Sequence, residues 1–300
     1  MVFSLVVMTG CNSIDDDSAN CPQGLIVTLR VDGPDNNADD PNAIEDATIY
    51  AFDQDSCFLE KRQTQLNKPE TFFYPHAGKM KFVGWCNTQT TNGGLVQVAP
   101  LVPEDSIALA DVSMISRNVM RATGYYEYTP PTDLFLGWQT AQNTGHGQES
   151  VIVYATRRVG KMTITVRGLK LWYNNNDEDY SLLVATTKTV MDFDGVLKGD
   201  QCCIVPDASF PANPAVPGDY VTNLFNMMPS DEGMPLTVSL YKAGVWVRDA
   251  TVDDEGNPIM TYANKTTNVL IVFTTSGAMS VTVEKSLWNT PYFWPKDFSQ

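Results

Sequence analysis

The sequence predicts an all-β protein built from β-sandwiches, and three features of its 300 residues lead to this prediction. Short stretches in which apolar and polar residues alternate recur along the chain. The segments between them are rich in Pro, Gly, Asn and Asp, as in "DGPDNNADDPN" and "PDASFPANPAVPGD". Long stretches with the helical period of apolar residues are absent from the sequence.

Five strands are predicted in the first half of the chain, from runs of β-branched and aromatic residues next to turn-forming residues. They are Leu25–Val31, Ala47–Phe52, Lys79–Trp85, Val151–Thr156 and Val159–Arg167. The alternation is clearest in the last strand, where Met162, Ile164 and Val166 are separated by polar residues. Ile107–Arg121 is the one stretch considered for a helix, although its Val, Ile, Ser and Thr content disfavours a helix.

Five more strands are predicted in the second half of the chain. They are Leu182–Val190, Leu236–Tyr241, Val245–Arg248, Val269–Phe273 and Ser280–Val283. The polar segment "YNNNDEDY" separates the two sets, and the chain is long enough for two β-rich domains. We therefore predict an N-terminal β-sandwich domain over residues 21–168 and a C-terminal one over residues 169–300. Length alone also allows one large β domain.

The charge of the chain limits its partners. Its 35 acidic and 20 basic residues give a formal net charge of −15. Such a surface repels a phosphate backbone, so no nucleic-acid partner is expected. The sequence also lacks a basic stripe that would attract anionic lipid. Hydrophobic residues make up 43% of the chain, which is enough to bury a core at this length.

The N-terminal stretch Val2–Met8 is apolar but much shorter than the ~18 residues that a membrane-spanning helix needs. We interpret it as the end of the apolar region of a signal peptide. Because no Lys or Arg precedes it, the signal is expected to begin upstream of residue 1. Residues 1–10 are then the remnant of a signal peptide, and residues 11–20, with their three consecutive Asp, form an acidic tether.

The chain has six cysteines: Cys11, Cys21, Cys57, Cys86, Cys202 and Cys203. An oxidising compartment would permit a disulfide among Cys21, Cys57 and Cys86, and the sequence leaves its connectivity open. The neighbours Cys202 and Cys203 are interpreted as small residues of a strand or loop rather than as a redox switch, because a bond between adjacent cysteines is strained.

Sequence motifs of common enzymes are missing, including G-x-S-x-G, H-E-x-x-H and the phosphate-binding glycine loops. The two histidines, His76 and His146, lie in Gly-flanked turns, where solvated residues are expected rather than a general base. Without a C-x-x-C pair, a zinc site is not expected either. A glycosidase with paired carboxylates stays formally open, but most Asp and Glu lie in loop-like clusters. We predict a protein that is not an enzyme and that binds no cofactor or metal.

Calcium and sugar are two further ligand classes for which a plain structural role is the preferred interpretation. The acidic segments 32–40 and 192–200 offer oxygen ligands for calcium, but neither has the spacing of an EF-hand, so solvated loops are preferred. The six tryptophans could bind sugar if several were exposed together. Packing roles are preferred for each of them.

The start of the chain resembles the signal of a bacterial lipoprotein. Met8-Thr9-Gly10-Cys11 is similar to a lipobox, with Met where Leu is commoner. This resemblance implies that the signal is removed and that Cys11 becomes the lipid attachment site. Asp15–Asp17 resembles the export signal of surface lipoproteins in the Bacteroides group. It implies lipid anchoring in the outer membrane, with the protein facing the cell exterior.

Later motifs resemble the FimB/Mfa2 family of fimbrial anchor and minor subunits. In order, they are "CPQGLIVTLRV", "IEDATIYAFDQDSCFLEKR", "YPHAGKMKFVGWCNT", "DLFLGW" and "TRRVGKMTITVRGL". The resemblance covers most of residues 11–170, and "PLTVSLY" and "VTVEKSLWN" extend it into the second half. Cys57, in the pair Ser56-Cys57 where a Gly is usual, and Cys86 depart from the family pattern.

The family resemblance implies two tandem transthyretin-like (Ig-like) β-sandwich domains. It also implies a surface lipoprotein that anchors a fimbria or forms a minor structural part of it. Its expected partners are fimbrial (pilin) subunits, assembled by strand complementation, and the outer membrane, through the lipid on Cys11. No catalytic residues come with the family. The alternative is a lipid-tethered surface module, an adhesin, that binds a glycan or a host protein.

Overall fold

The computed structural model describes residues 24–31, 44–89, 96–145, 147–173, 179–212, 216–230, 234–288, 290, 292 and 294–295. In this part of the chain, the strands before residue 158 are β1 (Gly24–Val31), β2 (Ala47–Phe52), β3 (Phe58–Thr64), β4 (Pro69–Phe72), β5 (Gly78–Cys86), β6 (Val96–Val98), β7 (Asp111–Met114), β8 (Ser116–Met120), β9 (Tyr126–Tyr128), β10 (Phe135–Asn143) and β11 (Gln148–Arg157).

The described second half begins with β12 (Gly160–Arg167) and a one-turn helix, α1 (Leu169–Trp172). The strands that follow are β13 (Tyr180–Asp192), β14 (Leu197–Ile204), β15 (Ala208–Ser209), β16 (Tyr220–Thr222), β17 (Phe225–Met227), β18 (Thr237–Lys242), β19 (Val245–Ala250), β20 (Lys265–Phe273) and β21 (Met279–Leu287). The predicted all-β class is confirmed, and each predicted strand overlaps an observed one. No helix in the described part of the chain is long and apolar enough to cross a membrane.

Ile107–Arg121, whose Val, Ile, Ser and Thr content disfavours a helix, forms no α-helix. Ile107–Leu109 forms a single 3-10 turn, and β7 and β8 follow it. Within β7, Val112 and Met114 are buried, whereas Asp111 and Ser113 are partly exposed. Burial of alternate residues on one face of the strand therefore agrees with the β-favouring composition of this stretch.

The seven-stranded sheet has the order β3-β2-β5-β10-β11-β1-β4, in which β1 runs parallel to β11. Its inner face surrounds a buried cluster that includes Leu29, Phe72 and Phe82. The two edge strands meet, because Thr64 Oγ1 of β3 lies 3.0 Å from Glu70 Oε1 of β4. The sheet therefore wraps around its own core and closes its edges with side chains.

Two further sheets face each other across the main core. One sheet has the order β15-β16-β12-β20-β21, and β17 also pairs with β12. The other sheet has the order β19-β18-β13-β14-β9-β8. In this second sheet, β7 also pairs with β13, and β6 pairs with β7. Ile164 of β12, Val184 of β13 and Leu240 of β18 belong to one buried cluster. This is the arrangement of a β-sandwich, in which the inner faces of two sheets share a core.

Strand pairing crosses the predicted domain division at residue 168. β7 pairs with β13, and β9 pairs with β14, although β7 and β9 lie before residue 168. β12 also lies before it and pairs with β20. The division therefore stays a prediction, and the sheets themselves are assembled from both sides of it.

Candidate functional site

The predicted lipid attachment site, Cys11, lies outside the described residues, and so does Cys21. Cys57 and Cys86 are free thiols, the first partly exposed and the second buried. Strand pairing places Cys86 opposite Ala47, at one end of the six-residue β2. Phe58, the residue after Cys57, lies opposite Phe52 at the other end of β2.

At about 3.3 Å per residue, this arrangement separates the Cys57 and Cys86 positions by roughly 16 Å. The Cα atoms of a disulfide lie within about 7 Å of each other. Cys57 and Cys86 therefore do not meet in this fold. A bond of either one with Cys21 stays a prediction.

Cys202 and Cys203 are buried neighbours on β14 with free thiols. Cys202 faces the main core, whereas Cys203 packs in a small separate cluster with Leu183 and Tyr241. Burial raises the pKa of Cys202 to about 12 and that of Cys203 to about 11. Both thiols are therefore neutral at physiological pH, which agrees with a structural role rather than a redox switch.

The two histidines and the two acidic segments come next, and those that the structure describes have structural roles. His76 is exposed in a bend, as expected for a loop histidine, whereas His146 and the acidic segment 32–40 lie outside the described residues. In the second acidic segment, Asp192 Oδ1 accepts hydrogen bonds from the backbone N–H groups of Asp194 and Val196 at 3.0 and 2.8 Å. Asp194 forms an ion pair with Lys81. These carboxylates thus shape a turn and hold it against β5.

Five of the six tryptophans divide into a buried and an exposed group, and the sixth, Trp172, is partly buried. Trp85, Trp288 and Trp294 are buried, as the preferred packing role predicts. Trp138 and Trp246 are 41% and 55% exposed and lie in different sheets, on β10 and β19. The two exposed rings therefore do not form a common aromatic face.

Edge strands are where another chain can join a sheet, and most of the edges described here are protected. β3 and β4 close on each other, and β6, β15 and β17 have only two or three residues. Pairing of β8 is irregular between Ser116 and Met120. Asp254 caps β21, because its backbone N–H donates to Val281 O and its carboxylate accepts from Val281 N, both at 2.9 Å.

β19 is also an edge strand, and its outer side is paired with no described strand. Its pairing with β18 has one register shift, between Leu240 and Tyr241. Its six residues, "VWVRDA", pair with β18 on one side. Val245 and Trp246 are 68% and 55% exposed. A tight turn leads into β19, with positive φ at both Ala243 and Gly244, as a two-residue hairpin requires. We call the outer side of Val245–Ala250 the β19 edge.

A groove of about 380 Å³ runs beside the β19 edge. Its floor is aromatic: Trp172 stacks on Phe273 with ring centroids 4.6 Å apart, and Tyr173 lies 4.4 Å from Trp172. A Cβ atom at Gly277 would lie 2.6 Å from Trp172 Nε1, so the tryptophan fits only against a glycine. The Lys242 ammonium group lies 3.8 Å from the centre of the Tyr173 ring.

Trp246 also lines this groove, and the strand register places its ring on the face of the sheet that carries Tyr241. It pairs with Tyr241, and directly paired residues share a face. Tyr241 belongs to the small cluster with Cys203, whereas Val247 packs against the main core. The Trp246 indole N–H donates to Asp249 Oδ1 at 2.9 Å, which orients the ring. The β19 edge thus has an aromatic surface on each side.

The chain matches a family model described as fimbrillin-A associated anchor proteins Mfa1 and Mfa2 over residues 17–291. It is 23% identical over 281 residues to the major fimbrium anchoring subunit FimB of Porphyromonas gingivalis, and the match covers 87% of this chain and 84% of that protein. The FimB relative is named for a structural role in a fimbrium rather than for an enzymatic activity.

Two solved structures have a similar fold. The fimbrial anchor protein Mfa2 from Porphyromonas gingivalis superposes with a TM-score of 0.55 at 14% identity, covering 89% of this chain and 98% of that one. A protein from Bacteroides thetaiotaomicron, named as a candidate polysaccharide-binding protein, superposes with a TM-score of 0.63 at 14% identity, covering 89% and 97%. At these identities the likeness shows the fold alone.

Proposed function

The chain belongs to the family of fimbrillin-A associated anchor proteins Mfa1 and Mfa2, and on this basis we propose that it anchors a fimbria or forms a minor structural subunit of it. The family match over residues 17–291 is the observation that carries the proposal. The match to FimB supports it, because it covers 84% of that anchoring subunit.

The proposal includes attachment to the outer membrane through a lipid on Cys11. Residues 11–20 would then form an acidic tether between the membrane and the folded part of the chain. The lipobox-like sequence that ends at Cys11 supports this attachment. A protein held by acyl chains needs no spanning helix, since buried methylene groups supply the membrane affinity.

The proposal also includes assembly with pilin subunits by strand complementation and a division into two transthyretin-like domains near residue 168. In strand complementation, an extended segment of one subunit pairs with an open sheet edge of another. The backbone supplies hydrogen bonds, and alternate side chains supply specificity. The open β19 edge is the feature of this chain that supports such assembly.

Co-purification from the outer membrane tests the proposal. The chain would be isolated with a C-terminal affinity tag from detergent-solubilised outer membranes, and the bound proteins would be identified by mass spectrometry. The expected result is enrichment of fimbrial subunits over an equally abundant lipoprotein of another family. Recovery of the chain without any fimbrial subunit would contradict it.

The alternative, a lipid-tethered module for a glycan or host protein, has one supporting observation, the aromatic floor formed by Trp172 and Tyr173. A clear sugar ligand together with no bound pilin would favour this alternative.

A further inference from the structure

The outer side of β19 presents backbone groups that no described strand pairs with. In an antiparallel pair, alternate residues direct both N–H and C=O away from the neighbouring strand. About half of the six residues of β19 therefore offer hydrogen-bonding groups to the outside. An added strand would satisfy these groups and extend the sheet by one strand.

The side chains next to this edge suit an added strand with apolar residues. Side chains of a strand alternate between its two faces. On one face, every second residue of the added strand would contact the groove with Trp172 and Tyr173. On the other face, the intervening residues would lie beside the exposed ring of Trp246. Both contacts bury aromatic surface that the chain itself leaves open.

The positive charges at the groove favour a partner segment that carries an acidic residue. Lys242 and Arg248 both line it, on a chain whose formal net charge is −15. Arg248 is exposed and forms no ion pair with a described residue. The nearby carboxylate of Asp249 already accepts the Trp246 indole N–H. A carboxylate on the incoming segment would therefore meet complementary charge at this end of the groove.

We infer that the β19 edge is the acceptor site on this chain for an extended segment of a fimbrial subunit. The segment carries apolar side chains that contact the groove floor and Trp246, and an acidic side chain that contacts Arg248. The identity of the donor as a fimbrial subunit rests on the proposed function. The location of the site rests on the unpaired outer side of β19 and on the groove beside it.

The test compares Val245→Lys with the matched control Val102→Lys. A lysine on an edge strand opposes strand addition, and both valines are largely exposed, at 68% and 62%. The probe is fimbriae sheared from the parent cells, and binding to the purified chain is measured by surface plasmon resonance. Thermal melting first verifies that both variants fold like the wild type.

Val245→Lys is expected to weaken binding by about tenfold or more, and Val102→Lys to leave it unchanged. In the wild type, the amides of residues 245–250 should exchange hydrogen more slowly once fimbriae are bound. Arg248→Glu should weaken binding as well, and more strongly at low salt.

Two results overturn the inference, and they differ in what they mean for the proposed function. If the wild type binds fimbriae but Val245→Lys binds equally well and residues 245–250 gain no protection, the acceptor site lies elsewhere and the proposed function stands. If the wild type binds no fimbriae, or binds only acidic oligosaccharides used as a competing probe, both the proposed function and the acceptor site are wrong.

Discussion

The ring of Phe193 lies edge-on against the ring of Tyr50, with 4.8 Å between the centroids and 76° between the planes. Tyr50 is on β2 of the seven-stranded sheet, whereas Phe193 directly follows β13, which lies between β18 and β14 in another sheet. Phe52 and Trp85 also surround Phe193, at 6.1 and 5.7 Å. Phe193 therefore packs the outer face of the seven-stranded sheet against the main core.

Phe193→Ala is expected to lower the free energy of unfolding by about 3–5 kcal/mol, because it leaves a cavity among three aromatic rings. Urea denaturation followed by tryptophan fluorescence measures the change. Phe73→Ala is the control, since Phe73 is 55% exposed and its loss should change stability by less than about 0.5 kcal/mol. Equal effects of the two substitutions would show that Phe193 does not join the sheets.

The aromatic floor of the groove depends on Gly277. Gly277→Ala adds a Cβ atom 2.6 Å from Trp172 Nε1 at a residue with φ of +81°, and we expect it to destabilise the chain and displace Trp172. Gly256→Ala is the matched control, because its φ is +86° and nothing lies within 4 Å of the new atom.

The control substitution should cost about 1–2 kcal/mol from backbone strain alone. Gly277→Ala should cost more, and it should also change the near-ultraviolet circular dichroism of the tryptophans. If both variants lose the same stability and keep the wild-type spectrum, Trp172 is not held by Gly277.

Stability should fall at alkaline pH because of Cys202 and Cys203. In the unfolded chain these thiols titrate near pH ~8.5, whereas burial raises their pKa to about 12 and about 11 in the folded protein. Their contribution is complete below pH ~8.5 and is lost as the pH rises towards the folded values. In this range each thiol lowers the free energy of unfolding by about 1.4 kcal/mol per pH unit.

The variant carrying both Cys202→Ala and Cys203→Ala should therefore lose less stability between pH 9 and 10.5 than the wild type does (~2.8 kcal/mol less per pH unit). Urea denaturation at a series of pH values gives both slopes. Identical slopes would mean that the two thiols do not stay neutral in the folded protein.

Cys11→Ser is expected to release the chain from the outer membrane and to shed fimbriae into the medium. The reason is that the substitution removes the proposed acyl anchor and its buried methylene groups. Membrane fractionation and intact-mass spectrometry of the membrane-bound protein give the readout. Cys57→Ser, at a partly exposed free thiol, should leave both membrane attachment and mass addition unchanged. Unaltered fractionation of Cys11→Ser would contradict lipid attachment at this residue.

Local patterns in the sequence predict the strands well. The alternation of Met162, Ile164 and Val166 identifies β12, and all three side chains are buried. The aromatic and β-branched run from Val245 likewise predicts β19. Such elements are predictable because burial of one face sets the sequence period locally.

Sheet order and the groove are much harder to predict from the sequence. Pairing of β7 with β13 joins distant segments, and no local pattern encodes it. Trp172 takes its place in the groove from Phe273 and Gly277, which lie far along the chain. The openness of β19 depends on which strands occupy the other positions, so only the complete fold reveals it.

The most direct test of the account is photo-crosslinking in intact cells from position 245. A photoreactive amino acid replaces Val245 in one strain and Val102 in another, and the crosslinked proteins are identified by mass spectrometry. An adduct with a fimbrial subunit is expected from position 245, and none is expected from position 102. Absence of a fimbrial adduct from position 245, or equal adducts from both positions, would contradict it.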